Sequence, residues 1–259
     1  MFKAVKRSLK YFFSICGLEI RKTHREPPRA SMAGALQQLA NQGLLPKTVI
    51  DVGAANETPG LYERFKNSNI LLIEPQAEFE PFLQQICRNY RAQYALAAAG
   101  AERGTAILNV HKDKFGSSLL NEVEGASVDG TPRQVPVVTI DELVAERNLP
   151  GPYFMKVDVQ GAELQVLKGA ARTLRETEAV LLEVTLFGTM IGGPELFEVL
   201  RWMKEFGFVV YDICGFLYRP LDNALCQSDL VFVQEQSRFR KSHAYATPEQ
   251  RLASDLIKQ

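Results

Sequence analysis

A chain of 259 residues, 46% hydrophobic and 23% charged, can build one large α/β domain with a full core and does not require two. Formal net charge is zero, but the first 30 residues hold eight Lys or Arg against two acids, so the remainder carries −6. An acidic body without a basic patch argues against a protein that tracks phosphates, and no nucleic acid is expected as partner. No stretch approaches the roughly 18 apolar residues that span a bilayer. Four scattered cysteines without a C-x-x-C pair, and histidines only at positions 24, 111 and 243, offer no metal site and fit reduced thiols in a cytoplasmic compartment.

In chain order, residues 1–30 form the first unit. Its apolar centre, Tyr11 to Leu18, is short, and Glu19, Arg21 and Lys22 stand where a signal peptide would carry small residues. The unit reads as a basic amphipathic helix, suited either to an anionic membrane surface through residues 1–25 or to packing on its own domain. The REPPR run at 25–29 breaks the chain, because two consecutive prolines cannot continue a helix. A domain over 31–236 follows, then a polar tail over 237–259. A helix over 33–42 leads into an apolar strand ending at Asp51. A small-residue turn comes next (Gly53, Ala54, Ala55), then a short helical stretch and a second strand over 70–73 ending at Glu74. Further strand-like runs near 94–97 and at 105–110, 135–140, 153–159, 179–186, 208–213 and 230–233 alternate with helical patterns at 78–89, 141–147, 162–174 and 194–206. That alternation predicts a mostly parallel sheet covered on both faces. Segment 112–134 lacks periodicity and is read as a lid or substrate loop, or as a plain surface insertion.

The opening βαβ unit is that of a nucleotide-cofactor fold. Glu74 lies 23 residues after Asp51, close to the roughly 20-residue offset at which a strand-end carboxylate meets a ribose diol. A dinucleotide fingerprint would want glycine at Ala55 and Thr58, and neither is present. The acid-x-G-x-G-x-G alternative maps to Asp51, Gly53, Ala55 and Glu57. Strand-end acids repel a pyrophosphate and suit a cationic ligand, which favours S-adenosylmethionine over a nicotinamide dinucleotide. The bland alternative is an α/β domain whose acids merely cap helices.

The run YFMKVDVQGAELQVLKGA at 153–170 puts Lys156 and Asp158 on one face of a strand that passes through Gln160 and Gly161 into a helix. A neighbouring strand carries Glu183 inside VLLEVTLF. Buried strand charges are costly unless paired or used, so acids at 51, 74, 158 and 183 point to a site.

With VIDVGA at 49–54, IEP at 73–75, VPVVTIDEL at 135–143, MKVDVQGAELQVLKGA at 155–170, LLEV at 181–184 and SDLVFV at 228–233, the chain resembles the FkbM-family methyltransferases over about residues 35–235. The resemblance implies a class I, Rossmann-like three-layer sandwich with a mostly parallel sheet and an antiparallel last strand. It also implies S-adenosylmethionine as donor and O-methylation of a hydroxyl, usually on a small molecule, sugar or glycan. By that analogy Asp51, Gly53, Ala54, Ala55, Glu57, Glu74 and Pro75 would hold the donor. Asp158 is the first candidate for base and His111 the second. Glu57 stands where the family generally has glycine. That departure keeps a catalytically impaired binding domain open beside the enzyme, and an NAD-linked oxidoreductase is the other alternative.

Overall fold

The computed structural model describes residues 29–58 and 60–252, together with residues 13 and 15. Apart from residues 13, 15, 29 and 30, the segment in which the amphipathic helix is expected lies outside the described residues, as does the end of the polar tail. In chain order the elements are α1 (Met32–Asn41), β1 (Thr48–Val52), α2 (Leu61–Arg64), β2 (Asn69–Ile73), α3 (Glu80–Asn89), β3 (Ala92–Ala95), β4 (Ala98–Ala99), β5 (Gly104–Val110) and β6 (Thr131–Val138). They continue with α4 (Ile140–Glu146), β7 (Tyr153–Val157), α5 (Glu163–Lys168), β8 (Thr177–Thr185), α6 (Leu196–Glu205), β9 (Phe208–Tyr218) and β10 (Leu225–Gln234).

Seven strands form one sheet in the order β3-β2-β1-β7-β8-β10-β9. Strands β3, β2, β1, β7 and β8 pair in parallel, and β10 runs antiparallel between β8 and β9. Side chains alternate across each strand. Val49, Ile70, Leu72, Phe154 and Leu181 pack with Leu36 and Leu39 of α1, Leu61 of α2 and Leu83 of α3. Ile50, Val52, Leu71, Met155, Val157 and Leu182 face the opposite way, onto Ile140 of α4, Val166 of α5 and Met203 of α6. Both faces are thus apolar and covered, which is why these strands read as continuous hydrophobic runs.

Two expectations are corrected. The runs at 105–110 and 135–140 do not join the main sheet: β5 and β6 pair antiparallel and with β4 form a separate three-stranded sheet, β4-β6-β5. No helix separates these strands, so no parallel crossover can return them to the main sheet. The helix expected over 162–174 stops at Lys168. A Cβ on Gly169 would stand 2.0 Å from the Gly100 carbonyl oxygen, so the chain passes the small sheet at a distance only glycine allows. Beyond the last strand, Arg238 ion-pairs with Glu178, and Phe239 lies edge-on to Tyr211, so the start of the tail is tied to the body.

Candidate active site

The carboxyl ends of β1, β2 and β7 and the small sheet enclose a cleft of about 880 Å³, counting its open mouth. It lies at the parallel-strand ends, where ligands of such sheets bind. Gly53, Ala55, Glu74, Pro75 and Asp158 all line it, joined by Gln76, Gln160, Glu183 and, from the small sheet and the loop beyond it, Leu108, Lys114 and Leu119.

Asp51 does not line the cleft. It is fully buried, and its Oδ2 accepts hydrogen bonds from the Thr58 and Tyr62 hydroxyls, both at 2.6 Å. Its Oδ1 sits 3.3 Å from Lys156 Nζ, which is the cross-strand neighbour in the β1–β7 register. The Asp51 carboxylate, expected to meet the donor, is turned into the fold toward Thr58, Tyr62 and Lys156. Burial alone would lower the Lys156 pKa, but Asp51 and Asp158 outweigh it and hold the ammonium above its ordinary value. Burial and the Asp51 charge push Tyr62 far up, so it remains a donor. Ala54 is buried in the packing against α1–α3, and Glu57 is exposed, outside the cleft, its charge felt by the Tyr90 hydroxyl.

The turn itself is tightly held. Gly53 has φ +74°, and Ala55 enters the left-handed region at +45°. The Ala55 N–H donates to Glu74 Oε2 at 3.0 Å, and the Gln76 N–H donates to Oε1 at 2.9 Å. Burial raises the Glu74 pKa while those N–H groups oppose it. A carboxylate has about four lone-pair positions, so Glu74 keeps acceptor capacity toward the cleft. Lys114 is the one cationic residue of the described lining, against Glu74, Asp158 and Glu183. That donor set fits a cationic nucleoside with a free diol and opposes a pyrophosphate.

Asp158 directly follows β7, with its side chain about one-third exposed, its Oδ2 3.4 Å from Lys156 Nζ and its Oδ1 accepting from Gln160 Nε2 at 2.9 Å. Gln160, in the left-handed region at φ +53°, was unassigned by the motif; its amide also donates to Glu183 Oε2 at 2.7 Å. The signal for Gln160 was its place between Asp158 and the turn glycine, but which two acids it bridges depends on the β7–β8 pairing. A small second cavity adjoins the cleft, lined by Gln160, Glu163, Glu183, Thr189, Met190 and Gln227.

His111 does not line the cleft. Its Nε2 faces Glu122 at 2.8 Å and its Nδ1 lies 3.9 Å from Asp113. The segment around it is anchored over the site: the Ser118 hydroxyl donates to the Gln160 carbonyl at 2.6 Å, and Gln76 Nε2 donates to the Lys114 carbonyl at 2.9 Å.

Glu163 begins α5 and accepts from the N–H groups of Val159 and Gly161 at 3.2 and 3.0 Å. Burial, against the pull of those donors, pushes it up to about 7. The folded state therefore keeps a proton that the unfolded chain gives up near its ordinary value of about 4.3. This contribution to stability falls as pH rises from about 4 to 7. Glu163→Gln, which cannot titrate, is expected to match the parent at pH 4 and to exceed it by roughly 3 to 4 kcal/mol at pH 8 in denaturant melts. Equal differences at the two pH values would contradict a protonated Glu163.

The strand order defines a Rossmann-like, class I methyltransferase sandwich. The chain belongs to the Methyltransferase FkbM domain family, which it matches over residues 51–210, and S-adenosylmethionine is its cofactor. Over 64 residues it is 36% identical to the hexuronic acid methyltransferase AglP of Haloferax volcanii. That match covers 25% of this chain and 26% of the relative, so the chain spans about a quarter of the length of the curated protein it matches. Among solved structures it is similar to magnesium protoporphyrin IX methyltransferase of Synechocystis PCC 6803 with bound S-adenosylmethionine (TM-score 0.42, 10% identity, 78% of this chain and 76% of that one). It is also similar to an rRNA methylase of Streptococcus thermophilus (TM-score 0.42, 9% identity, 77% and 93%). Among the described residues no helix is long and apolar enough to cross a membrane, and no group of His, Cys, Asp and Glu is arranged to hold a metal ion.

Proposed function

We propose that this protein transfers a methyl group to a hydroxyl of a small-molecule or glycan acceptor, a sugar hydroxyl first of all. The observation that carries this reading is the Asp158 carboxylate, which lines the cleft and is joined through Gln160 to Glu183. Bound S-adenosylmethionine supplies an electrophilic methyl group. Glu74 would hold the ribose hydroxyls, with the Gly53–Ala55 backbone and Pro75 beside them. Asp158 would accept the proton of the attacking hydroxyl, because an alcohol is a poor nucleophile until a base takes its proton. The Gln160 and Gln227 amides hold the Glu183 carboxyl beside Asp158, so the wall next to the proposed base is polar. The partial match to a hexuronic acid methyltransferase supports a carbohydrate acceptor.

The reading is tested by incubating the protein with radiolabelled donor and a panel of sugars, uronic acids and amines. Label is expected on a sugar as an alkali-stable methyl ether. Alkali-labile label would mean ester formation, and label on amines alone would overturn the hydroxyl assignment. Glu74→Ala is expected to weaken donor affinity by about 1.5–3 kcal/mol, the scale of hydrogen bonds to a charged group. Unchanged calorimetric affinity in a folded variant would remove Glu74 from the site. The eight basic residues of the first 30 support a peripheral place on an anionic membrane. Deleting residues 1–25 is expected to abolish salt-sensitive binding to anionic vesicles while donor affinity persists; undiminished vesicle binding would refute this role.

A further inference from the structure

Glu183 has no assigned role in the reaction above, yet it is the most crowded acid of the site. It lies near the end of β8 with Asp229 opposite it in the β8–β10 register. Asp158 faces it from the end of β7, Glu163 from α5 and Asp229 from β10, and the charges of all three are felt at its carboxyl. The neighbouring cation, Lys156, lies 3.3 Å from Asp51 and 3.4 Å from Asp158. What Glu183 receives instead is two neutral amide donors on one oxygen: Gln160 Nε2 at 2.7 Å and Gln227 Nε2 at 3.1 Å, both on Oε2. Asp158 and Glu183 accept from the same amide nitrogen, which sets the two carboxyls side by side. The Gln160 amide thus spans both acids, and its backbone is fixed by the Ser118 hydroxyl on its carbonyl.

Carboxyl groups this close, served by neutral donors, do not both ionise. We propose that Glu183 keeps its proton at neutral pH and donates it to Asp158, so that the proton acceptor of the site is one half of a carboxyl–carboxylate pair clamped by Gln160, with Glu183 as its positioning residue. Because Oε2 already receives two N–H groups, Oε1 carries the proton. Burial first, and the Asp158 charge next, push the Glu183 carboxyl to the alkaline side of neutrality, in keeping with this arrangement. In a turnover, the acceptor hydroxyl loses its proton to Asp158 as its oxygen bonds to the methyl carbon and the carbon–sulfur bond breaks, the electron pair going to sulfur. The pair then holds two protons and returns one to solvent. Glu183 does not touch the methyl group; it fixes which Asp158 oxygen is free to receive the proton. The inference rests on Asp158 being that acceptor.

The test uses the intact protein labelled with ¹³C at Glu carboxyl carbons. The Glu183 signal, assigned by its loss in Glu183→Gln, is expected to titrate above pH 7, and its midpoint to fall by at least one pH unit in Asp158→Asn. A midpoint in the ordinary carboxylate range, or one that Asp158→Asn leaves unmoved, would overturn the pair. The second arm is the pH profile of methyl transfer with the acceptor found in the label screen. The parent is expected to lose rate on the alkaline side as Glu183 ionises and repels Asp158. Glu183→Gln keeps a neutral donor, so it is expected to retain neutral-pH activity within about tenfold and to lose the alkaline decline; an unchanged decline would overturn the role of Glu183. The two readings fail separately: an active Asp158→Asn sinks the base, whereas an ordinary Glu183 titration sinks the pair.

Discussion

Methyl transfer by an Asp158→Asn variant is expected to fall by about 10² to 10⁴, the usual contribution of a positioned general base, with little change in melting temperature. The amide has nearly the shape of the carboxylate and can still accept from Gln160, whose bond to Asp158 Oδ1 is 2.9 Å in the parent. Lys156 keeps Asp51 as partner and still donates to the Gly53 carbonyl at 2.9 Å, so the buried ammonium is not abandoned. The variant removes the proton-accepting charge and leaves the donor side of the cleft, Glu74 and the turn, in place. Donor affinity is therefore expected to stay within a few-fold. A large loss of stability without a selective loss of turnover would mean that Asp158 serves Lys156 and not the reaction. Full activity would leave the chemistry to proximity alone, since His111 is turned toward Glu122.

Among the described glycines, Gly53→Ala is expected to be the most damaging change, costing at least about 3 kcal/mol and abolishing donor binding. A Cβ at this position would stand 1.9 Å from the Asp158 carbonyl oxygen and 3.0 Å from its carbonyl carbon. The obstacle is backbone from the adjoining strand end, so no rotamer change relieves it. The residue also has φ +74°, which costs an L side chain about 1 kcal/mol further. Relief would require parting the ends of β1 and β7, and with them the turn and Asp158. Urea melts with a donor-protection arm measure both effects. A variant of parental stability would show that the two strand ends can separate freely and that the close approach is not a structural requirement.

The βαβ unit, the strand-end acids and the two covered faces were legible in the amino-acid order, because periodicity and turn residues report local geometry directly. Glu74 and Asp158 at the ends of apolar runs announced a site, and the absence of a glycine fingerprint separated a cationic donor from a dinucleotide. Asp51 shows where this reasoning stops. Its strand-end position resembles that of Glu74, but Thr58, Tyr62 and Lys156 consume its carboxylate. Those partners come from the turn and short helix seven to eleven residues on and from a strand that pairs with β1 across about a hundred residues.

Sequence by itself determined that this chain folds as an α/β sandwich with acids at the carboxyl ends of its parallel strands, since burial of apolar faces and the two side-chain periods leave little else open. Only the tertiary structure decided which acids face the cleft, that β4–β6 leave the main sheet to form its wall, and that Gln160 ties Asp158 to Glu183. The physical reason is that strand pairing and register fix side-chain partners, and neither is encoded in the local spacing that makes a strand recognisable.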